Sequence, residues 1–242
     1  MHMRILVVGA GAIGGYFGGR LLQAGRDVTF LVRPRRAAEL ADAGLRIRSP
    51  CGDLHLQNPP QVLADDLHEA YDLIVLSCKA YDLAGAMDAI APAVGDQTMI
   101  LPMLNGMCHL DQLAQRFGHA RVLGGLCAIS ATLAADHAVV HLNSTHKLSF
   151  GELDGADSPR LQRLAGVLGG AGFDALPSRL IEQDMWEKWV FLATLAAVSC
   201  LMRATLGDVL KAPGGEALIR SMFDECRAIA DGAGHAPRTA FI

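Results

Sequence analysis

The chain has 242 residues, 51% of them hydrophobic, and a formal net charge of −4 with both signs interspersed. That length accommodates one large or two modest domains with a sizeable core. The mixed charge excludes an electrostatic footprint for nucleic acid or a membrane surface.

The first element is an apolar strand over residues 4–8, running into Gly9-Ala10-Gly11-Ala12-Ile13-Gly14. The spacing is G-x-G-x-x-G, and each glycine has its own task. Gly9 permits the tight turn, Gly11 lets a pyrophosphate approach the backbone, and Gly14 lets the next helix pack close. That helix, expected over residues 15–23, aims its free N–H groups and positive dipole end at the phosphates. Gly9, Ala10, Gly11, Ala12, Ile13 and Gly14 are therefore the expected dinucleotide cradle; the bland alternative is a glycine turn with no ligand. Gly25 reads as an αL cap and residues 28–32 as the second strand. A site for the unphosphorylated dinucleotide would place a carboxylate at the end of that strand. Here Arg33 follows, then Arg35 and Arg36, and a guanidinium there suits a 2′-phosphate. NADP(H) is the expected cofactor, with Arg33 on the phosphate, against the alternative of a solvated basic cluster.

Residues 37–43 read as a helix closed by Gly44, followed by short strands at 45–47 and 54–56 around a Pro50, Gly52, Asp53 turn. A buried strand is expected at 72–77, a helix at 83–90, a strand at 99–104, and a helix from Asn105-Gly106 through Phe117. Strand and helix alternate, as in a parallel doubly wound sheet. Three strands with short links then follow, at 122–132, 138–142 and 147–151, expected to be antiparallel. A helix at 159–168 and a strand at 173–176 complete the domain. Beyond Pro177 the texture is helical. Residues 181–202 are the most apolar stretch, yet the uncharged run 189–202 falls short of the about 20 residues a membrane span needs. It reads as a buried helix, with a last helix at 215–231. The expected organisation is an α/β Rossmann-type domain, residues 1–177, and an all-α domain, residues 178–242. The six cysteines form no C-x-x-C pair and the nine histidines show no ligand spacing. Reduced thiols, no metal site and a cytoplasmic location are the corresponding expectations. No signal peptide is expected before the first strand.

Ligands of open α/β sheets sit beyond the carboxyl ends of the strands. Lys79 and Asn105 each follow such an end and should face the nicotinamide. Lys188 lies on the apolar helix among Trp186, Trp189, Val190 and Phe191, which leaves few polar faces. The competing readings are a solvated lysine or a pair with Glu187 or Glu182, and a plain turn at Asn105-Gly106.

At these residues the chain resembles the ketopantoate reductases (2-dehydropantoate 2-reductases). The match is Gly9-x-Gly11-x-x-Gly14, Arg33, Cys78-Lys79-Ala80, Asn105-Gly106-Met107 and Trp186-Glu187-Lys188, in one order across the chain. The resemblance implies an NADPH-binding Rossmann-type domain, a helical substrate domain, and contacts from Lys79 and Asn105 to cofactor and substrate. It implies Lys188 as substrate contact and proton donor in the reduction of a 2-keto acid, with the ammonium stabilising charge on the carbonyl oxygen. Pairing of two copies through the helical domain would follow by analogy. Two departures stand out. The family's substrate-holding asparagines align with Leu192, Ala196 and Leu206, leaving Thr194, Ser199 and Arg203 as nearby polar groups. The family's later helices have no counterpart before Ile242, so the helical domain reads as incomplete. Three functions are compatible: a ketopantoate reductase in pantothenate and coenzyme A synthesis, a related reductase of another keto acid, or an NADP(H)-binding protein without turnover.

Overall fold

The computed structural model describes residues 2–242. Arg4–Val8 (β1) is followed by Ala12–Gln23 (α1), Asp27–Leu31 (β2), Pro34–Ala43 (α2), Leu45–Arg48 (β3), Leu54–Leu56 (β4) and Gln61–Val62 (β5). Then come Tyr71–Leu76 (β6), Leu83–Ile90 (α3), Val94–Pro102 (β7), Cys108–Phe117 (α4), Leu123–Leu133 (β8) and Val139–Glu152 (β9). Pro159–Leu168 (α5) and Asp174–Pro177 (β10) precede three C-terminal helices, Ile181–Met202 (α6), Leu206–Lys211 (α7) and Gly215–Gly232 (α8). Two compact units result, one running through Ile181 and one spanning Glu182–Ile242.

In the first unit a parallel sheet has the order β5-β2-β1-β6-β7. Its central strands are buried on both faces, which is why their sequences are continuous apolar runs rather than alternating ones. The chain leaves β1 for β2 on one side and later returns to β6 on the other. The carboxyl end of β1 is therefore the topological switch point. A second sheet, β10-β9-β3-β4, carries β8 paired antiparallel to β9.

Helix α1 lies against both sheets, and its glycines make that possible. A Cβ at Gly18 would come within 2.6 Å of the Phe30 ring on β2. Cβ atoms at Gly15 and Gly19 would press on Val139 of β9 and Ile47 of β3, at 3.0 and 2.8 Å. One core joins the two sheets through this helix, with Tyr16, Phe17, Phe30, Ile47 and Phe150 wholly buried in it.

Several sequence expectations are corrected. Helix α1 begins at Ala12, three residues before the expected start, so Ala12, Ile13 and Gly14 form its first turn. Helix α2 begins at Pro34, because proline at the first helical position needs no N–H partner and Arg33 stays extended as its N-cap. The strands expected at 138–142 and 147–151 are one strand, β9. Its register with β8 shifts between Ile129 and Ala131, so the polar 143–146 stretch that reads as a link belongs to one bulged strand. There Asn143 Oδ1 accepts from the Ser130 amide at 3.4 Å and lies 3.1 Å from His141 Nε2. The second sheet is also mixed, since β9 runs parallel to both β3 and β10.

In the second unit, Val190 packs with Cys226 and Ala230 of α8, flanked by Trp186, Trp189, Phe223 and Phe241. Helix α7 was not expected from sequence. Thr205 caps it, accepting from the Asp208 amide at 3.2 Å while its hydroxyl donates to the Asp208 carboxylate at 2.7 Å. Helix α6 is long and apolar enough to cross a membrane by length and composition. It is not the buried helix the sequence suggested: Val190, Thr194 and Val198 are buried, whereas Phe191, Leu201 and Met202 are exposed. A helix that is apolar nearly all round has more face than the α8 contact covers.

Candidate functional site

The site is built at the carboxyl edge of the parallel sheet. Leaving β1, the backbone turns at Gly9, whose φ of +94° is closed to most side chains. The Gly9 amide donates to Leu31 O of β2 at 2.9 Å. Ser77, just past β6, places its hydroxyl 2.8 Å from Val8 O and 3.1 Å from Gly9 O. The turn is thus tied to both neighbouring strands. A Cβ on Gly14 would lie well under 3.0 Å from both Gly9 O and Ser77 Oγ, so only glycine lets α1 start this close to the strand. Arg36 on α2 donates from Nε to Ala10 O at 3.0 Å and pairs with Glu39 at 3.1 Å.

Gly11 differs from its neighbours: a Cβ there would meet no heavy atom within 4 Å. The missing side chain is not required by packing within the protein. It leaves open space before the first turn of α1, where no side chain caps the helix and no acidic residue stands. Free N–H groups and the positive dipole end therefore have no internal counter-charge, the arrangement a pyrophosphate fills. The residues present fit a dinucleotide.

The other site candidates on this unit stand at the same sheet edge. Arg33 follows β2 and is exposed, donating from Nη2 to Asp82 Oδ1 at 2.6 Å. That hydrogen bond raises the guanidinium pKa above its ordinary value. Lys79 is exposed and extended, opening the short turn Ala80–Asp82 after β6. Asn105 is exposed beyond β7. Burial pushes the adjacent Cys78 thiol up, so it offers no ready thiolate.

Lys188 belongs to the second unit, half-buried on α6. The two carboxylates suggested as its partners also make contacts with other residues. Glu187 is buried and accepts from the Arg238 amide and Nε at 2.8 Å, from Arg238 Nη2 at 2.5 Å, and from Gln183 at 3.2 Å. Arg238 thereby holds the Glu187 carboxyl below its ordinary pKa. Glu182 lies 3.5 Å from His235, which stacks on Trp186. At the positions lacking asparagine, Leu192 and Leu206 are half-buried and Ala196 is exposed. Thr194 and Ser199 donate their hydroxyls to carbonyls of their own helix, Val190 O at 2.8 Å and Leu195 O at 2.6 Å. Neither hydroxyl proton is spare for a ligand. Ser77, Asp82 and Arg238 have structural roles that sequence reading missed, because their partners lie 49 to 69 residues away.

A parallel doubly wound sheet with an open glycine turn at its switch point, joined to a helical unit, defines a dinucleotide-binding protein. The profile described as Ketopantoate reductase PanE/ApbA matches residues 5–155, and that of Ketopantoate reductase PanE/ApbA C terminal matches residues 180–242. The chain belongs to the ketopantoate reductase family. It is 35% identical over 223 residues to the uncharacterized oxidoreductase YkpB of Bacillus subtilis, covering 92% of this chain and 73% of that one. The crystal structure of 2-dehydropantoate 2-reductase from Geobacter metallireducens superposes with a TM-score of 0.88 at 30% identity, covering 99% of this chain and 78% of that one. The fold is shared with D-mandelate dehydrogenase, solved with NADH and anilino(oxo)acetate, at a TM-score of 0.85, 21% identity and 97% and 76% coverage.

Proposed function

We propose that this oxidoreductase is an NADPH-dependent reductase of a 2-keto acid, and that its substrate is ketopantoate, converted to pantoate on the way to pantothenate and coenzyme A. The observation that carries the reading is the open glycine turn with Arg33 beside it, on the edge where Lys79 and Asn105 also stand. Backbone N–H groups from Gly9 to Gly14 hold the pyrophosphate and Arg33 the 2′-phosphate. Lys79 and Asn105 orient nicotinamide and substrate by charge and hydrogen bonds. When bound, the reduced nicotinamide supplies the hydride equivalent that the reduction consumes. Lys188 binds the substrate and stabilises the negative charge growing on the keto oxygen, then gives up its proton there, leaving a 2-hydroxy acid. The same reading has the enzyme working in the cytoplasm on a small molecule, without nucleic acid or membrane.

The test is NADPH oxidation with ketopantoate by wild type and Lys188→Ala. The variant should lose about 100-fold or more in kcat while still binding NADPH; wild-type kcat in the variant refutes the acid role. A second reading rests on Leu192, Ala196 and Leu206. A pocket without those amides binds a polyhydroxylated acid less well, so another keto acid becomes the substrate. A panel of keto acids decides between them, and the highest kcat/KM for ketopantoate removes the second.

A further inference from the structure

We propose that Asp82 is a specificity-determining residue of the dinucleotide site, setting how strongly it prefers a 2′-phosphate over a 2′-hydroxyl through its hold on Arg33. This rests on the reading of the glycine turn as a dinucleotide cradle.

Arg33 extends from the end of β2 and Asp82 from the crossover after β6, and these strands flank β1 on opposite sides. Their 2.6 Å ion pair therefore bridges the carboxyl end of β1, from which the glycine turn departs. The guanidinium side chain is 76% exposed and the carboxylate 30%, so the more mobile partner is the arginine and the fixed one the acid. Asp82 occupies the N-cap position of α3 without making a capping hydrogen bond, so its replacement removes no capping bond from the helix.

Two consequences follow for the ligand. A 2′-phosphate that engages Arg33 must share the guanidinium with a carboxylate or displace it, and in either case a second anion stands beside the phosphate. A 2′-hydroxyl meets the opposite situation: it can donate a hydrogen bond to a carboxylate, as it does to the acidic residue of NAD sites. Asp82 thus weakens NADPH binding, supports NADH binding, and narrows the preference that Arg33 alone would impose.

The experiment is equilibrium titration of NADPH and NADH, followed by nucleotide fluorescence, on the full chain and on Asp82→Asn, Asp82→Ser, Asp82→Glu and Arg33→Gln, with thermal melts confirming folding. Asp82→Asn and Asp82→Ser should raise the NADPH-to-NADH affinity ratio about 2- to 5-fold, the range for a partly exposed charge pair, and the gain should shrink at high salt. Asp82→Glu should stay within about twofold of wild type, since the charge is kept. Arg33→Gln should lower the ratio by selectively weakening NADPH. If wild type binds and Arg33→Gln behaves so, but Asp82→Asn and Asp82→Ser leave the ratio unchanged, the Asp82 assignment is overturned and the cradle stands. If neither nucleotide binds wild type, both are overturned.

Discussion

The glycine turn makes two residues three positions apart respond oppositely to one methyl group. In Gly14→Ala the new Cβ meets Gly9 O and Ser77 Oγ well under 3.0 Å, and the carbonyl oxygen is backbone that cannot rotate away. Overpacking of this kind costs about 3 kcal/mol at its upper end. Alanine returns about 1 kcal/mol of helix propensity within α1. The net loss is about 2 kcal/mol, which lowers the melting temperature by about 4–8 °C in a chain of this size. In Gly11→Ala the Cβ meets nothing within 4 Å, and the residue sits at φ −80°, where alanine is unstrained. Its melting temperature should move by no more than about 3 °C, the effect of a poorer N-cap. NADPH affinity should nevertheless fall at least about 10-fold, because the methyl occupies the approach that a pyrophosphate needs. Circular-dichroism melts and NADPH titrations of both variants supply the four numbers. A Gly11→Ala protein with wild-type affinity refutes the ligand role of the open turn, and a Gly14→Ala protein with an unchanged melting temperature refutes the packing argument.

Burial pushes His109 on α4 down to about 4, and its Nε2 finds no partner among the described residues. A folded pKa below the unfolded value near about 6.5 means that protons bind the unfolded chain preferentially. This contribution is complete above about pH 6.5 and is lost as pH falls toward 4, amounting to about 2 kcal/mol by pH 5. His109→Leu should flatten the difference between urea melts at pH 7 and pH 5; an unaltered difference removes His109 as its source. In the second unit, Arg238→Ala takes the guanidinium donors from the buried Glu187 carboxylate, which keeps the amide of residue 238 and Gln183, and should cost about 2 kcal/mol at pH 7. Because Arg238 depresses the Glu187 pKa, the pairing is fully present above the ordinary carboxylate value near about 4.3 and is lost as pH falls through the depressed one. The variant's deficit in melting temperature should therefore narrow at low pH, and an equal deficit at pH 7 and pH 3 contradicts the pairing.

What the sequence made legible was local. The apolar runs of β1 and β6 announce strands buried on both faces, and Pro159–Leu168 shows its helix through a serine N-cap, Pro159 and an apolar stripe. The glycine spacing announces the turn. Periodicity could not show that 139–152 is one strand, because residues 143–146 carry the polar signature of a link while Ser130 of β8 supplies Asn143 with a partner across the sheet. Nor could it show why α1 holds Gly15, Gly18 and Gly19 as well as the motif glycines. Gly18 answers to Phe30 of β2, whereas Gly15 and Gly19 answer to a second sheet packed on the helix's other side, whose strands lie up to about 120 residues downstream.

The same limit governs the chemistry of the site. The arginine after β2 was read as a determinant of cofactor choice because its position in the fold is fixed by local sequence. Its counter-charge was invisible, since Asp82 becomes its neighbour only through the strand order that places β2 and β6 on either side of β1. A basic residue at that position is thus an incomplete statement about the nucleotide. The free energy of engaging a phosphate is a difference, set against whatever already holds the guanidinium, and here that competitor is a carboxylate 2.6 Å away. Cofactor preference in this chain should accordingly follow the pair, so that removing the charge of either member shifts the NADPH-to-NADH ratio, in opposite directions.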